Sequence, residues 1–369
     1  MTTPLMGRRL RALREQRGLS QKELADIFGI KDRQTVSAIE SGDRRMTADE
    51  LVTAIQKLNV SLEYFTDPFS LDGEARFSWR QMDVSLDALD EYERVAGRWI
   101  AAFRLMARET GQPLPLFREA VALTTSNTFE DASWAGECFV SDYKLGDTPA
   151  AMLAEVMQDE LGILVLLVDA TTGISGAACH LLDLDAVLIN RREVIGRRNF
   201  DLAHELFHIL TWEAMPPERS EEASETSSNR VEQLANSFAS AVLVPEASLK
   251  RFGDWSNLND EGLIHKLIET ANELQVTATA LKWRLVSMKR LSRSRAQAIP
   301  GDALRNNGHA TLTGATTSPL FSKRFVDVMG ISLQQGRVSA RRLAQVLDLT
   351  VDDLLALFPA HGLEPPIDV

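Results

Sequence analysis

Asn199-Phe200-Asp201-Leu202-Ala203-His204-Glu205-Leu206-Phe207-His208-Ile209-Leu210 sets two histidines four residues apart, with a glutamate directly after the first. On a helix, His204 and His208 fall one turn apart on one face with Cβ atoms about 5–6 Å apart, close enough for two imidazoles to share one tetrahedral zinc ion. Glu205 lies next to that face, where its carboxylate can accept a proton from a water activated by the metal. Leu202, Leu206, Ile209 and Leu210 point elsewhere, toward a core that would hold the helix rigid. Histidines at this spacing also occur on ordinary amphipathic helices, so a third ligand is needed to separate the two readings. Glu232 opens Glu232-Gln233-Leu234-Ala235-Asn236-Ser237-Phe238-Ala239, and Leu234, Phe238 and Ala241 recur there at helical spacing. Glu232 is therefore the expected third ligand; two imidazoles and a carboxylate leave a fourth zinc position open, as in catalytic rather than structural sites. His180, His265, His309 and His361 have no such company and read as ordinary histidines.

Working outward, Thr148-Pro149 reads as an N-cap and first helical residue, and Met152, Leu153, Val156, Met157 and Leu161 form one apolar stripe that ends at Gly162. A strand is expected from Ile163 to Asp169, then two alternating runs, Ala177 to Leu181 and Ala186 to Asn190, that fit a hairpin or meander. This is an α+β core with a small sheet, and a strand such as Ala186 to Asn190 is the expected edge along which an extended substrate would lie. Glu213, Glu218, Glu221, Glu222 and Glu225 stand in a Ser/Glu-rich stretch between the two ligand helices, read as a solvated, mobile loop placed like a lid. Phe77 to Arg108 is helical in pattern, rich in Trp and Arg, with Trp79 and Trp99 read as packing residues.

The first third of the chain reads differently. From Leu10 to Phe65 apolar residues recur at helical spacing, interrupted at Gly18, Gly29 and Gly42, which predicts four or five short helices. Ser20 to Glu23 forms a capping box, so one helix starts at Gln21 and stops at Gly29. A second begins near Asp32, buries Val36 and Ile39, and presents Arg33, Gln34, Thr35 and Ser37, residue types suited to base edges and phosphates in a major groove. On composition alone, a basic helical bundle fits the same segment.

Leu19-Ser20-Gln21, Glu23-Leu24-Ala25, Val36-Ser37 and Ile39-Glu40-Ser41-Gly42 resemble the Cro/C1-type (XRE) helix-turn-helix family over about residues 5–66. That resemblance implies Gln21 at a phosphate, Arg33 to Ser37 toward the bases of a double-stranded DNA operator, and a homodimer on a two-fold site. The turn at Asp32-Arg33-Gln34 is about one residue longer than the usual version. Asn190, Arg198, Phe200, Ala203, His204, Glu205 and His208, followed by Glu232, Ala235, Asn236, Phe238, Ala239, Leu243 and Pro245, resemble the ImmA/IrrE family of small gluzincin-type zinc peptidases over about residues 120–290. The resemblance implies His204, His208 and Glu232 as Zn2+ ligands, Glu205 as general base, and a transcriptional repressor as the cleaved protein in a stress or mobile-element response. Phe207 departs from the family's usual glycine at that place, which would crowd the cleft.

Composition agrees with a chain of several domains. The 369 residues are 44% hydrophobic and 25% charged, enough for sizeable cores. No run of about 18 apolar residues occurs, so no membrane partner is expected, and the arginine-studded start lacks the apolar region of a secretory signal, which points to the cytoplasm. Two cysteines, Cys138 and Cys179, make no disulfide framework and no cysteine zinc site. The net charge of −12 speaks against a protein that coats nucleic acid, but residues 1–45 hold ten Arg or Lys against six Asp or Glu, which localises any nucleic-acid site to the head.

The expected organisation is α+β: an all-α helix-turn-helix head at 1–66, a helical connector at 67–119, a gluzincin-like metallopeptidase core at 120–299, and a linker with an α-helical C-terminal region at 300–369. In that tail, Ser339-Ala340-Arg341-Arg342-Leu343-Ala344 repeats the spacing of Ser20 to Ala25 but lacks a counterpart of Val36 to Gly42, so it reads as a packing or dimerisation module rather than a second DNA reader. The expected function is a DNA-binding transcriptional regulator carrying a zinc-dependent endopeptidase. Two alternatives use the same residues: a regulator whose zinc domain senses a ligand, metal or partner without cutting, and a repressor that is itself the cleaved substrate.

Overall fold

The computed structural model describes residues 3–118, 120–222, 229–255, 257–308 and 317–366. In chain order, five helices come first: α1 (Thr3–Gln16), α2 (Gln21–Phe28), α3 (Arg33–Ser41), α4 (Ala48–Lys57) and α5 (Leu62–Thr66). Strand β1 (Arg76–Gln81), helices α6 (Leu86–Glu109), α7 (Phe129–Asp142) and α8 (Pro149–Asp159), and strands β2 (Ile163–Val168), β3 (Ile174–His180) and β4 (Asp185–Asn190) follow. Next are α9 (Ile195–Thr211), β5 (Ser220–Glu222), α10 (Arg230–Leu243), α11 (Glu246–Leu249), α12 (Asp260–Glu273), α13 (Ala278–Ser287), α14 (Arg293–Ala298) and α15 (Gly301–Leu304). The last three helices are α16 (Lys323–Gln334), α17 (Ala340–Leu347) and α18 (Val351–Ala360). By internal contacts the chain divides into two units, one of Met1–Arg76, Ser85–Pro113 and Asp327–Val369, the other of Phe77–Val84 and Leu114–Val326.

In the first unit the local rules hold closely. Ser20 caps α2 with a full capping box, Gly29 ends it in the left-handed region at φ 67°, and Asp32 caps α3 through its side chain on the Gln34 amide. Leu10, Leu13, Leu24, Ala25, Val36, Ile39, Ala54, Leu58 and Phe65 form the core of this head. Arg9 is wholly buried and closes the bundle by donating to the carbonyls of Tyr64 at 2.8 Å, Asp67 at 2.8 Å and Ser70 at 2.6 Å. A buried guanidinium needs its donors and charge met: backbone oxygens at a chain turn take Nη1 and Nη2, and Nε faces the Glu74 carboxylate at 3.5 Å. The C-terminal helices join this unit by packing: α17 lies against α6, where Trp99 Nε1 donates to the Leu347 carbonyl at 3.2 Å.

The second unit is α+β. Its five-stranded sheet has the order β2-β4-β3-β1-β5. β2 pairs parallel with β4, and β3 pairs antiparallel with β4 in the register His180 to Asp185 through Gly176 to Ile189. Helices α9 and α10 contact each other, α7 covers α10, and α9 also contacts β3 and β4. The core joins Leu202, Leu206, Phe207 and Leu210 of α9 to Leu234, Phe238 and Ala239 of α10, with Leu153, Val156 and Met157 of α8.

Four expectations change here. Phe77 to Gln81 is strand rather than helix: Phe77, Ser78, Trp79 and Arg80 are all buried, and aromatic residues suit a covered strand once a pairing partner is present. Within the Ser/Glu-rich loop, Ser220–Glu222 forms β5, parallel to β1 with Trp79 opposite Ser220, and the Trp79 amide donates to the Arg219 carbonyl at 2.9 Å. Tertiary pairing, not propensity, makes this strand; residues 223–228 of the expected lid lie outside the described residues. Ala186 to Asn190 is an interior strand between β2 and β3, so it offers no edge to a substrate. Met152, assigned to the apolar stripe of α8, is instead 42% exposed.

Candidate metal centre and nucleic-acid interface

Helix α9 carries His204 and His208 on one face, and α10 brings Glu232 to meet them. The Nε2 atoms of His204 and His208 lie 3.1 Å apart, Glu232 Oε2 lies 3.2 Å from His204 Nε2, and Glu232 Oε1 lies 3.1 Å from His208 Nε2. In a tetrahedral zinc site with bonds of 2.0–2.1 Å, neighbouring ligand atoms stand about 3.3 Å apart, so the three side chains fit such an ion. All three are buried, and they are the group of ligand-type residues, among those described, able to hold a metal ion. Asn236 sits one turn beyond Glu232, with its Oδ1 3.0 Å from His204 Nδ1. An Nδ1–H donated to that oxygen fixes the ring and turns the Nε2 lone pair toward the cluster.

Glu205 is 1% exposed and lies against β3, where the Ala178 amide donates to its carboxylate. Its Oε1 is buried with no hydrogen-bond partner among the described residues, as is His208 Nδ1. Burial pushes the Glu205 carboxyl well above the usual carboxylate range, against the opposing pull of the Arg80 cation. Burial, reinforced by Arg80, pushes His204 down to about 4, so at neutral pH the ring is neutral, the form that binds a metal. Asp201 is pushed up to about 6 by burial, although Arg80 and Arg197 draw it down.

Phe207 does not enter the cleft as a crowding group. It is fully buried, its ring 5.5 Å from that of Phe238 and edge-on to His208 at 6.0 Å, so it belongs to the core that fastens α9 to α10. His180 pairs with Asp185 at 2.8 Å and stacks on Trp212, away from the ligand cluster's membership, and His309 lies outside the described residues.

Two residues at the centre are given no role in the motif reading, although Asn236 stands among the residues that carry the resemblance. Asn236 carries a detectable signal, since its i+4 spacing from Glu232 puts both on one helix face. Arg80 carries none. It arrives on β1 with Nη1 3.0 Å from His204 Nε2 and 3.1 Å from His204 Nδ1, and its Nε lies 3.2 Å from Asp201 Oδ1.

On the head, Arg33, Gln34 and Ser37 of α3 are exposed and Thr35 is half-buried, while Val36 and Ile39 of the same helix are buried. Gln21 is half-buried at the start of α2, and its Nε2 donates to Glu40 Oε2 at 2.9 Å. Arg14 holds the other Glu40 oxygen at 2.6 Å, so α1, α2 and α3 are tied at one carboxylate.

Residues 158–285 match the family model of the IrrE N-terminal-like domain. The match spans β2 to α13 and includes every member of the His-His-Glu cluster, so this IrrE-like domain is metallopeptidase-like. Residues 10–65 match the helix-turn-helix family model, which makes the head a DNA-binding fold. The two matches together are the fusion expected from the motifs. Neither curated proteins nor solved structures give a match to the chain. Among the described residues, no helix is long and apolar enough to cross a membrane.

Proposed function

We propose that the chain is a DNA-bound transcriptional regulator whose IrrE-like domain is a zinc endopeptidase acting on a protein partner, most naturally a repressor. The observation that carries this reading is the buried cluster of His204, His208 and Glu232, with the two Nε2 atoms 3.1 Å apart and a different carboxylate oxygen of Glu232 3.1–3.2 Å from each, beside the buried Glu205. Zinc held by those three would supply Lewis acidity to a peptide carbonyl. Glu205 takes a proton from the attacking water as its oxygen bonds to the carbonyl carbon, then gives that proton to the amine nitrogen as the C–N bond breaks. Its raised proton affinity suits both halves of that exchange near neutral pH, where an acceptor of ordinary carboxylate strength would be a weak base. Asn236 orients His204, and the Ala178 amide orients Glu205.

Under this reading, α3 enters the major groove with Arg33, Gln34, Thr35 and Ser37 toward base edges, and Gln21 lies at a phosphate, in a dimer on a two-fold operator. Joining both activities in one chain raises the concentration of the peptidase near whatever occupies the same promoter. Arg33→Ala is expected to weaken operator binding about tenfold and to lower the slope of affinity against salt by about one ion. A salt titration with unchanged affinity and slope removes Arg33 from the contact surface.

The deciding test compares protein N-termini in cells carrying the wild type and cells carrying Glu205→Gln, at equal zinc content and under several stresses. A new N-terminus seen only with the wild type establishes proteolysis and names the substrate. Identical N-termini under every stress leave a regulator whose zinc domain senses without cutting.

A further inference from the structure

The sheet order places this chain's own strand where a substrate would have to lie. Glu205 is held by the Ala178 amide of β3, so an extended peptide brought to Glu205 by strand addition must take the position beside β3. One side of β3 pairs with β4, and the other is filled by β1. The Met82 amide, just past β1, donates to the Gly173 carbonyl ahead of β3 at 2.8 Å. From β1 the Arg80 guanidinium reaches the ligands: Nη1 is 3.0 Å from His204 Nε2 and 3.9 Å from Glu232 Oε2, and the group lies 6.0 Å from the centroid of the Phe200 ring. The Arg80 side chain is 7% exposed. A guanidinium keeps its proton in proteins and has no lone pair to offer a metal, so at this place it is a fixed positive charge against the atoms that would bind a dication. Arg80 stands outside residues 158–285, so the family-matched segment does not supply it.

We propose that β1 is a built-in inhibitory strand: it fills the place of an extended substrate beside β3, and its Arg80 cation occupies the open side of the metal centre, so that hydrolysis requires β1 to leave. The proposal rests on the metallopeptidase reading and adds its regulation. Two cations cannot share the site without repulsion, so zinc binding and the docking of β1 oppose each other, and by linkage each weakens the other by the same factor. Whatever draws β1 out both opens the strand position and removes the competing charge.

The test uses the purified full chain and zinc alone, with affinity read by competition against a chromogenic chelator. Arg80→Ala is expected to bind zinc at least tenfold more tightly than the wild type, and Arg80→Lys, which keeps a cation, to show no such gain. Arg80→Ala combined with Asp201→Asn keeps the gain if the guanidinium is the competitor; losing it assigns the effect to the freed Asp201 carboxylate and overturns the proposal. Independently of any variant, saturating zinc is expected to speed hydrogen exchange at the Trp79 and Met82 amides of the wild type at least tenfold. Unchanged or slower exchange there, or Arg80→Ala binding zinc no more tightly, sinks the inhibitory role. Should Arg80→Ala fail to fold, the exchange measurement decides alone. His208→Ala separates the two readings: if it binds zinc as tightly as the wild type, the metal centre itself is wrong and the inhibitory role falls with it, whereas weakened binding in that variant leaves the Arg80 outcome to stand by itself.

Discussion

His208→Ala is expected to abolish the stabilisation of this protein by zinc. With zinc at about 100 times its dissociation constant, a protein whose folded state alone binds the ion gains about 2.7 kcal/mol. His208 Nε2 lies 3.1 Å from His204 Nε2 and 3.1 Å from Glu232 Oε1, and its ring is almost fully buried. Removing it leaves one imidazole and one carboxylate, two ligands in place of three, and affinity should fall on the order of a thousandfold. Thermal unfolding with and without zinc checks this: the wild type should show an upward shift in the transition of the IrrE-like unit, and the variant none at the same zinc concentration. An equal shift in both proteins would place the ion elsewhere. The zinc-free variant should differ from the zinc-free wild type by the loss of buried ring contacts with Phe207 and His204 and of the polar contacts of Nε2 with Glu232 and His204.

The second large effect lies away from the ligands. Gly136 of α7 is where that helix touches α10: a Cβ there would stand 2.7 Å from the Phe238 carbonyl oxygen, 3.0 Å from Ala241 Cβ and 3.2 Å from the Val242 amide nitrogen. Two of these neighbours are backbone of a regular helix and cannot swing aside. Gly136→Val should therefore push α10 off α7, with a loss of about 3 kcal/mol from overpacking. Because α10 carries Glu232 and Asn236, the displacement should also weaken zinc binding, although Gly136 touches no ligand. Denaturant unfolding and chelator competition on the same preparation measure the two effects. A variant with unchanged stability would show that the helices can separate here without consequence.

The ligand cluster was legible because its signal is local. Two histidines and a glutamate in five residues need only a helix to share a face, and the apolar residues around them dictate that helix. Glu232 was found by the same rule applied to a second helix, and the caps at Ser20, Asp32 and Ser339 follow from side chains that reach amides two or three residues on. The exposed face of α3 was legible for the same reason, since Val36 and Ile39 define its buried side.

The misreadings share a different cause. Phe77-Ser78-Trp79-Arg80 has too few residues to reveal a period, and Ser220-Glu221-Glu222 has no strand propensity to detect; each is a strand because the other lies beside it. The tail found its place through a bond between residues 248 positions apart, Trp99 and Leu347. Arg80 meets His204 across 124 positions.

By itself, the sequence determined the head's helices and their caps, and the helix faces that carry the candidate residues His204, His208 and Glu232, because these rest on spacings of a few residues that the backbone's own geometry imposes. Only the tertiary structure decided the strand order, the interior position of β4, and the arrival of Arg80 at the His-His-Glu cluster. Strand pairing joins backbone amides and carbonyls that every residue carries, so which strands become neighbours is settled by the burial of whole surfaces and not by any short run of side chains.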